Sequence, residues 1–449
     1  MFAFLKGEGL RARVLRGSFW TVSGFGMGQF LRLGSNLILT RILFPEAFGL
    51  MALVQIFLMG LGLFSDLGIR ASIIQNPRSN DQSFLDTAWT IQVARGVILW
   101  LGSCLLAYPA ASFYDAPMLQ QLLPVAGLTA VLSGFYPTKL FTANRDLMLG
   151  RLTGVDLTAQ AISILTMIAF AWATESVWSL IVGTLVGEVS KVFLYNNFLP
   201  GPANRFSWDR SAARELFSFG KWIFLSTACT FALSQGDRAV LGKYLSIGDL
   251  GVYNIGFFLA SVPAMLASAC SSKLIFPLYR KKPPSESMAN RAQIRKTRML
   301  LNGFLLCVDF VLMFAGIVLI ETLYDERYAM AGPIVVLIAC AQVPKILWIN
   351  YGGALLAVGE SRRFAYFLGA SAALQTAFLI VGVAEFGLIG AIFAPTLAAV
   401  LTYPMISMYV ARHGAWDPLH DSVLSSIAAL VSILACWLHF DAILILLDP

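Results

Sequence analysis

Three cationic residues, Arg32, Arg95 and Lys345, lie deep inside long apolar stretches of this 449-residue chain. A charge at the centre of a bilayer costs at least about 2.5–3.5 kcal/mol on insertion scales, so each of them needs water or a partner. Arginine can bind two phosphate oxygens at once through its planar guanidinium group, whereas lysine acts as a point charge. These residues therefore predict a water-filled cavity that accepts an anion. A purely structural ion pair is the alternative.

Arg32 belongs to a stripe of small and polar residues that also includes Gly24, Gly28 and Ser35. The steps of three and four residues average to one turn of an α-helix. The other residues of this stretch are mostly large and apolar. An apolar helix with one polar stripe predicts lipid on one side and a wet cavity on the other.

The composition indicates that nearly the whole chain lies in a membrane. Hydrophobic residues make up 58% of the sequence and charged residues 13%, whereas soluble domains carry roughly 25% charged residues. We expect an all-α polytopic membrane protein with about 13 transmembrane helices, within a range of 12 to 14. The predicted spans are residues 14–40, 48–72, 87–108, 118–143, 151–173, 177–197, 215–242, 250–278, 298–320, 330–357, 363–384, 388–411 and 422–447.

Basic residues in the predicted loops are strongly biased to one side. With the N-terminus in the cytoplasm, 21 of the 32 Lys and Arg residues lie on the cytoplasmic side, and only Arg41, Lys243 and Arg327 lie on the other. This is the positive-inside pattern. We therefore expect a multi-pass membrane protein with its N-terminus in the cytoplasm, and the net charge of +7 does not indicate a nucleic-acid partner.

The sequence contains no feature typical of an enzyme. It lacks the GxxxxGK[ST] motif of nucleotide-driven motors, and no external loop is long enough to carry a catalytic domain. The six cysteines form no CxxC pair, and the three histidines lack metal-ligand spacing. We predict no catalytic residues, no metal and no cofactor.

The sequence repeats itself with a shift of 202 residues. Trp20 then aligns with Trp222, while Arg32 aligns with Ser234 and Ser35 with Asp237. The shift covers six predicted helices, so both copies have the same orientation. It predicts two six-helix lobes, residues 1–205 and 206–412, around a central cavity, with an extra transmembrane segment at 413–449. Such repeats are typical of alternating access, although channels also duplicate.

Acidic residues within the spans are candidates for gates or for coupling to H⁺ or Na⁺. We assign Asp66, Asp237, Arg238 and Asp309 to this role. Asp66 lies four residues before Arg70, so a structural pair is the alternative. Adjacent helical residues point about 100° apart, so Asp237 and Arg238 need not pair with each other.

Four lysines lie near the predicted cytoplasmic ends of their spans. We expect their ammonium groups to reach the inner surface. Glu188 precedes Lys191 by three residues, a spacing that favours an ion pair. The four are Lys139, Lys191, Lys221 and Lys273.

Six stretches resemble the polysaccharide biosynthesis and export proteins of the oligosaccharide flippase family. That family belongs to the multidrug/oligosaccharidyl-lipid/polysaccharide exporters. The resemblance covers nearly the whole chain and implies two six-helix bundles that translocate undecaprenyl-diphosphate-linked sugars to the periplasmic leaflet. The stretches, in family order, are RILFPEAFGLMALVQIF, FSDLGIRASIIQNP, GDRAVLGKYLSIGDLGVYNIGFFLASVP, LIFPLYR, LYDERYAMAGP and LLAVGESRR.

With this resemblance, the leading hypothesis is a flippase of the bacterial cytoplasmic (inner) membrane. It would move polyprenyl-diphosphate-linked oligosaccharides in surface polysaccharide, lipopolysaccharide or exopolysaccharide biosynthesis. The expected partners are this glycan, membrane lipids, H⁺ or Na⁺, and polysaccharide polymerase machinery. A cation-coupled small-molecule antiporter is the alternative, but it would favour deep carboxylates. A membrane scaffold without transport is a third possibility. The polar stripe argues against it, because a scaffold needs no water-filled interior. The predicted substrate-binding residues are Arg32, Arg95, Lys345, Ser35 and Ser234.

Overall fold

The computed structural model describes residues 10–65, 69, 72–73, 78, 81–220 and 224–446. All of the regular secondary structure in these residues is helical, which confirms the predicted all-α class. The first eight helices are α1 (Leu10–Ile42), α2 (Pro45–Phe64), α3 (Gln82–Phe113), α4 (Leu119–Gly134), α5 (Lys139–Arg145), α6 (Leu149–Thr174), α7 (Trp178–Phe198) and α8 (Arg210–Gly220).

The second half of the chain contains nine further helices. A π-helical turn, Ser271–Ile275, joins two of them, and a short 3₁₀ turn, Glu326–Tyr328, precedes the most buried one. The helices are α9 (Phe224–Tyr244), α10 (Ile247–Ala260), α11 (Val262–Cys270), α12 (Phe276–Lys281), α13 (Met288–Leu323), α14 (Ala331–Ala357), α15 (Ser361–Ala411), α16 (Pro418–Leu438) and α17 (Phe440–Leu444).

Helix length and composition support a multi-pass membrane protein. Among the described residues, nine helical segments are long and apolar enough to cross a membrane, or ten if α4 and α5, which meet at 61°, form one span. The two helices with a polar stripe, α1 and α9, are not among the nine. The polytopic class is confirmed, and the number of about 13 spans stays a prediction.

Helix α15 is a hairpin of two helices. A straight helix of its 51 residues would be about 76 Å long, far longer than a hydrocarbon core of about 30 Å. The chain reverses at Gly387, whose φ of 56° suits a residue without a Cβ. Gly382 and Gly390 then lie so close that a Cβ on Gly382 would be 2.8 Å from the Gly390 carbonyl oxygen. The two arms coincide with the predicted spans 363–384 and 388–411.

The chain divides into two compact units, residues 1–227 and 228–449. In the first unit, α3 packs on α4, and α6 packs on both α1 and α7. In the second unit, α14 packs on α10, α13, α15 and α16, and 83% of its span, the largest share of any, is buried. The lobe boundaries predicted from the sequence stay predictions.

The first loop of each sequence repeat has the same position in both copies. Helix α1 ends at Ile42 and α2 begins at Pro45, while α9 ends at Tyr244 and α10 begins at Ile247. Both pairs of boundaries are therefore related by the 202-residue shift. The helix–loop–helix element at the start of the repeat is confirmed.

Mild oxidation should join Cys340 on α14 to Cys436 on α16. Their Sγ atoms lie 3.9 Å apart, and rotation of the side chains can bring them to the roughly 2.05 Å of a disulfide. Peptide mass mapping after copper–phenanthroline treatment and thiol alkylation should show this cross-link. A Cys436→Ser variant is the control and should not form it. If the wild type forms no cross-link, α16 does not pack on α14 as described.

Candidate functional site

The glycine stripe of α1 packs against α6. A Cβ on Gly24 would overlap the Thr153 side chain, and the Gly28 carbonyl accepts a hydrogen bond of 2.9 Å from the Gln160 side chain. The prediction that this stripe lines a wet cavity is therefore wrong for Gly24 and Gly28. Their small size allows the close approach of two helices, as small residues do in other membrane proteins.

The polar residues that follow on α1 lie in different environments. The Arg32 side chain is exposed and has no hydrogen-bond or ion-pair partner in the described part of the chain. Ser35, three residues later, is buried. Of these two predicted substrate-binding residues, only Arg32 presents its polar group at a surface.

Arg95 caps the C-terminus of α2. Its Nε donates to Ser65 Oγ at 2.9 Å, and one terminal nitrogen donates to the Gly62 carbonyl oxygen at 2.7 Å. The last carbonyl groups of a helix have no partner within that helix, and they carry partial negative charge that favours a cation. Arg95 therefore has a structural partner that sequence reasoning did not identify.

Lys139 has a similar role at the end of α7. It is buried, and its Nζ donates to the Asn196 carbonyl oxygen at 2.6 Å. The expectation that its ammonium group reaches the inner surface is wrong, because a helix carbonyl satisfies it within the protein. Lys221 lies outside the residues whose structure is described.

The predicted pair on α7 is confirmed. Lys191 Nζ lies 2.8 Å from the Glu188 carboxylate, which also accepts a hydrogen bond from the Tyr136 hydroxyl. Asp156 accepts one from the Tyr195 hydroxyl. These carboxylates in the first unit are thus held by tyrosines and a lysine.

Lys345 is the only exposed residue between positions 331 and 355 of α14. No hydrogen bond or ion pair of this side chain occurs in the described part of the chain. Asp237 and Arg238 on α9 are the charged groups that act on it electrostatically. An exposed lysine on the most buried span indicates an opening in the second unit at this point.

Asp237 and Arg238 engage separate partners. Asp237 is buried and accepts a hydrogen bond of 2.7 Å from the Tyr253 hydroxyl on α10. The Arg238 guanidinium lies 4.2 Å from the centroid of the Phe257 ring and donates to Gln235 at 3.2 Å. Both side chains are therefore fixed between α9 and α10.

Ser234, which replaces Arg32 in the second repeat, is half-buried. Its hydroxyl donates to the Phe231 carbonyl oxygen in the preceding turn at 3.4 Å. This weak local hydrogen bond leaves the oxygen able to accept another. Its role in substrate binding stays a prediction.

Asp309 is a buried carboxylate with one open oxygen. Gln342 on α14 donates to Asp309 Oδ1 at 2.7 Å and to the Ala260 carbonyl oxygen at 2.7 Å. The other oxygen, Oδ2, is buried and has no hydrogen-bond partner among the described residues. An unsatisfied buried acceptor is costly, so this oxygen is a place where a proton or a cation would bind favourably. Asp66 and Arg70 lie outside the described residues.

A buried ion pair that the sequence did not reveal joins α13 to α16. Arg298 lies 3.1 Å from Asp421, and their side chains are 1% and 4% exposed. Tyr351 and Tyr403 donate to the second oxygen of Asp421 at 2.5 and 2.8 Å. No pattern in a single sequence connects two residues that lie 123 positions apart.

Replacing Asp421 with Asn should destabilise the second unit by about 3–5 kcal/mol, because it leaves a buried arginine without its counter-charge. Thermal unfolding in detergent would show a lower midpoint temperature. Asp441→Asn is a suitable control, because Asp441 on α17 is exposed and forms no ion pair in the described structure. Equal midpoints for both variants would show that the ion pair does not stabilise the fold.

These features define a multi-pass membrane protein whose spans contain partnered charges and a few exposed cations. The chain belongs to the polysaccharide biosynthesis protein family, whose model matches residues 38–333. It is 20% identical over 330 residues to the teichuronic acid biosynthesis protein TuaB of Bacillus subtilis, covering 70% of this chain and 67% of that protein. It is 23% identical over 405 residues to the succinoglycan biosynthesis transport protein ExoT of Rhizobium meliloti, covering 88% and 80%. The family resemblance seen in the motifs is confirmed.

Solved structures with the same fold are membrane transporters. The lipid II flippase MurJ in an inward closed conformation has a TM-score of 0.70 at 12% identity, covering 95% of this chain and 99% of that one. An inward-facing multidrug resistance transporter of the MATE family, in the MOP superfamily, has a TM-score of 0.60 at 14% identity, covering 86% and 95%. These likenesses confirm the predicted transporter fold.

Proposed function

We propose that this protein is a flippase that moves a polyprenyl-diphosphate-linked oligosaccharide across the bacterial inner membrane by alternating access. Membership of the polysaccharide biosynthesis family supports a glycan as the cargo. Relatives named for teichuronic acid, succinoglycan and lipopolysaccharide biosynthesis support a role in surface or exopolysaccharide production. The fold it shares with a lipid II flippase supports movement of a sugar attached to a lipid.

The observation that carries this proposal is that two cations deep within the predicted spans are exposed and have no hydrogen-bond or ion-pair partner in the described structure. They are Arg32 in the first unit and Lys345 in the second. An unpaired cation at membrane depth is costly unless water or an anion reaches it. A diphosphate supplies several negative oxygens and binds guanidinium and ammonium groups strongly. Arg95 already forms hydrogen bonds with the C-terminal end of α2. We therefore rank it below Arg32 and Lys345 as a ligand of the diphosphate.

The proposed orientation places the N-terminus in the cytoplasm, as the strong positive-inside bias favours. The substrate then enters from the side on which the basic loops lie. The protein only binds and moves the lipid-linked glycan, so no covalent step and no catalytic residue is required. Polymerase machinery acting on the transferred glycan is an expected partner.

Asp309 is the best placed residue for coupling transport to H⁺ or Na⁺. Its open oxygen is buried within the second unit, while Asp237 already accepts a hydrogen bond from Tyr253. Binding of a proton or cation at Asp309 would change its contact with Gln342 on α14, the helix that carries Lys345. Asp66 and Arg238 remain proposed gate residues.

A second candidate function is a cation-coupled small-molecule antiporter. It is favoured by the buried Asp309 and by the fold shared with multidrug transporters. The exposed cations oppose it, because they would repel an organic cation. The flippase is therefore our conclusion.

Neutralising both exposed cations should abolish transport. We expect Arg32→Gln/Lys345→Gln to lower surface polysaccharide by 10-fold or more in cells that lack another copy, because charge-assisted hydrogen bonds contribute about 1.5–3 kcal/mol each. Polysaccharide would be quantified together with the amount of protein in the membrane. A drug-efflux assay on the same strains tests the second candidate.

The matched control is Arg280→Gln/Lys281→Gln, because these two cations are also exposed but lie outside the membrane in the proposed topology. It should leave polysaccharide production normal. Normal production by the Arg32/Lys345 variant would refute the site. Lost efflux with normal polysaccharide would favour the antiporter.

A further inference from the structure

The linker between α7 and α8, residues 199–209, is bound closely along α3. The backbone N–H groups of Arg205, Ser207 and Asp209 donate to Asp86, Thr90 and Thr87, at 3.2, 3.1 and 3.0 Å. These hydrogen bonds fix alternate residues of the linker against α3. The two residues that alternate with these positions are aromatic and exposed. Phe206 is 67% exposed and Trp208 is 58% exposed.

Arg78 forms ion pairs with three of the acidic residues near the linker. Arg78 lies 2.8 Å from Asp209, 2.9 Å from Asp81 and 3.3 Å from Glu215. Hydrogen bonds from Arg78 hold the pKa values of Asp209 and Asp81 below their usual range, so both stay ionised at neutral pH. Three arginines remain exposed on this surface and form no ion pair in the described structure: Arg205, Arg210 and Arg214.

A cleft of about 190 Å³ lies beneath the linker. Its lining is mostly apolar and includes two asparagines. The Trp89 ring, which lines it, contacts the exposed Phe206 with 4.7 Å between ring centroids. The Trp89 indole N–H is buried and has no acceptor among the described residues. The lining residues are Trp89, Leu132, Phe135, Pro137, Val192, Asn196, Ala203 and Asn204.

This combination matches the chemistry of a membrane phospholipid. Tryptophan and phenylalanine insert at the level of lipid head groups, and each basic residue near an anionic surface strengthens binding about fivefold. The cleft lies at the ends of α3, α4 and α7, where the spans meet the basic loops. An apolar cleft whose lining includes Asn204, next in sequence to the exposed Arg205, accommodates an acyl chain beside a phosphate group.

We propose that the linker and this cleft form a binding site for an anionic phospholipid. The arginines bind the head-group phosphate, the cleft holds the first part of an acyl chain, and the Trp89 N–H donates to an ester oxygen. Placement in the cytoplasmic leaflet rests on the proposed orientation, but lipid binding itself does not depend on transport. A lipid held there would stabilise the connection that leads from α7 into α8.

Native mass spectrometry of the purified, delipidated protein tests this site. With equal amounts of phosphatidylglycerol and phosphatidylcholine, the wild type should retain phosphatidylglycerol preferentially. Arg205→Gln/Arg210→Gln/Arg214→Gln should reduce that retention by about tenfold or more. The matched control neutralises three exposed basic residues elsewhere, Arg280, Lys281 and Lys296, and should retain the lipid as the wild type does.

A second variant tests the cleft without changing any charge. Ala203→Phe should fill the cleft and reduce retention of phosphatidylglycerol, with an unchanged thermal midpoint showing that the protein is folded. If a variant does not fold, the tryptophan fluorescence of the wild-type protein is measured with brominated lipids instead. We expect brominated phosphatidylglycerol to quench this fluorescence more strongly than brominated phosphatidylcholine does. Equal retention of both lipids by the wild type, or equal quenching by them, would overturn the proposal. Full retention of phosphatidylglycerol by the triple arginine variant or by folded Ala203→Phe would also overturn it.

Discussion

The structure depends on one constraint, that a charge within a hydrocarbon layer must have a partner, water or an anion. Arg95 and Lys139 meet it by binding backbone carbonyl groups at the ends of neighbouring helices. Lys191 meets it through Glu188. Arg95 and Lys139 thereby link the ends of α2 and α7 to neighbouring helices. Two exposed cations deep within the predicted spans, Arg32 and Lys345, differ from these because they have no hydrogen-bond or ion-pair partner in the described structure.

Helix α14 links stability to the proposed function in the second unit. It is the most buried span, and its residues contact groups on several other helices. Gln342 binds Asp309 on α13, Tyr351 binds Asp421 on α16, and Lys345 lies between them in sequence. Because both hydrogen bonds fix the same helix, they also fix the position of the exposed lysine. The proposed coupling residue Asp309 thus contacts the same helix that carries Lys345, the proposed diphosphate ligand.

The sequence was sufficient to predict the fold class, the family and the first helix–loop–helix of the repeat. Apolar runs and the 202-residue shift can be recognised in the sequence without knowledge of tertiary contacts. The partners of Arg95 and Lys139 could not be predicted, because every residue has a backbone carbonyl group. The sequence does not show which of these groups a side chain will bind. Gly24 and Gly28 were misinterpreted because a stripe of small residues serves close helix packing as well as it serves a cavity. The pair of Arg298 and Asp421 joins distant segments that no single-sequence pattern relates.

Leaflet transfer in reconstituted vesicles tests the central claim most directly. The purified protein would be placed in liposomes that contain a fluorescent polyprenyl-diphosphate-linked oligosaccharide in both leaflets, with a membrane-impermeant reagent that destroys only the outer label. We predict that nearly all label becomes accessible with the wild type, and only the outer half with Arg32→Gln/Lys345→Gln or without protein. Transfer by the variant at the wild-type rate, or no transfer by the folded wild type in an imposed ion gradient of either H⁺ or Na⁺, would contradict it.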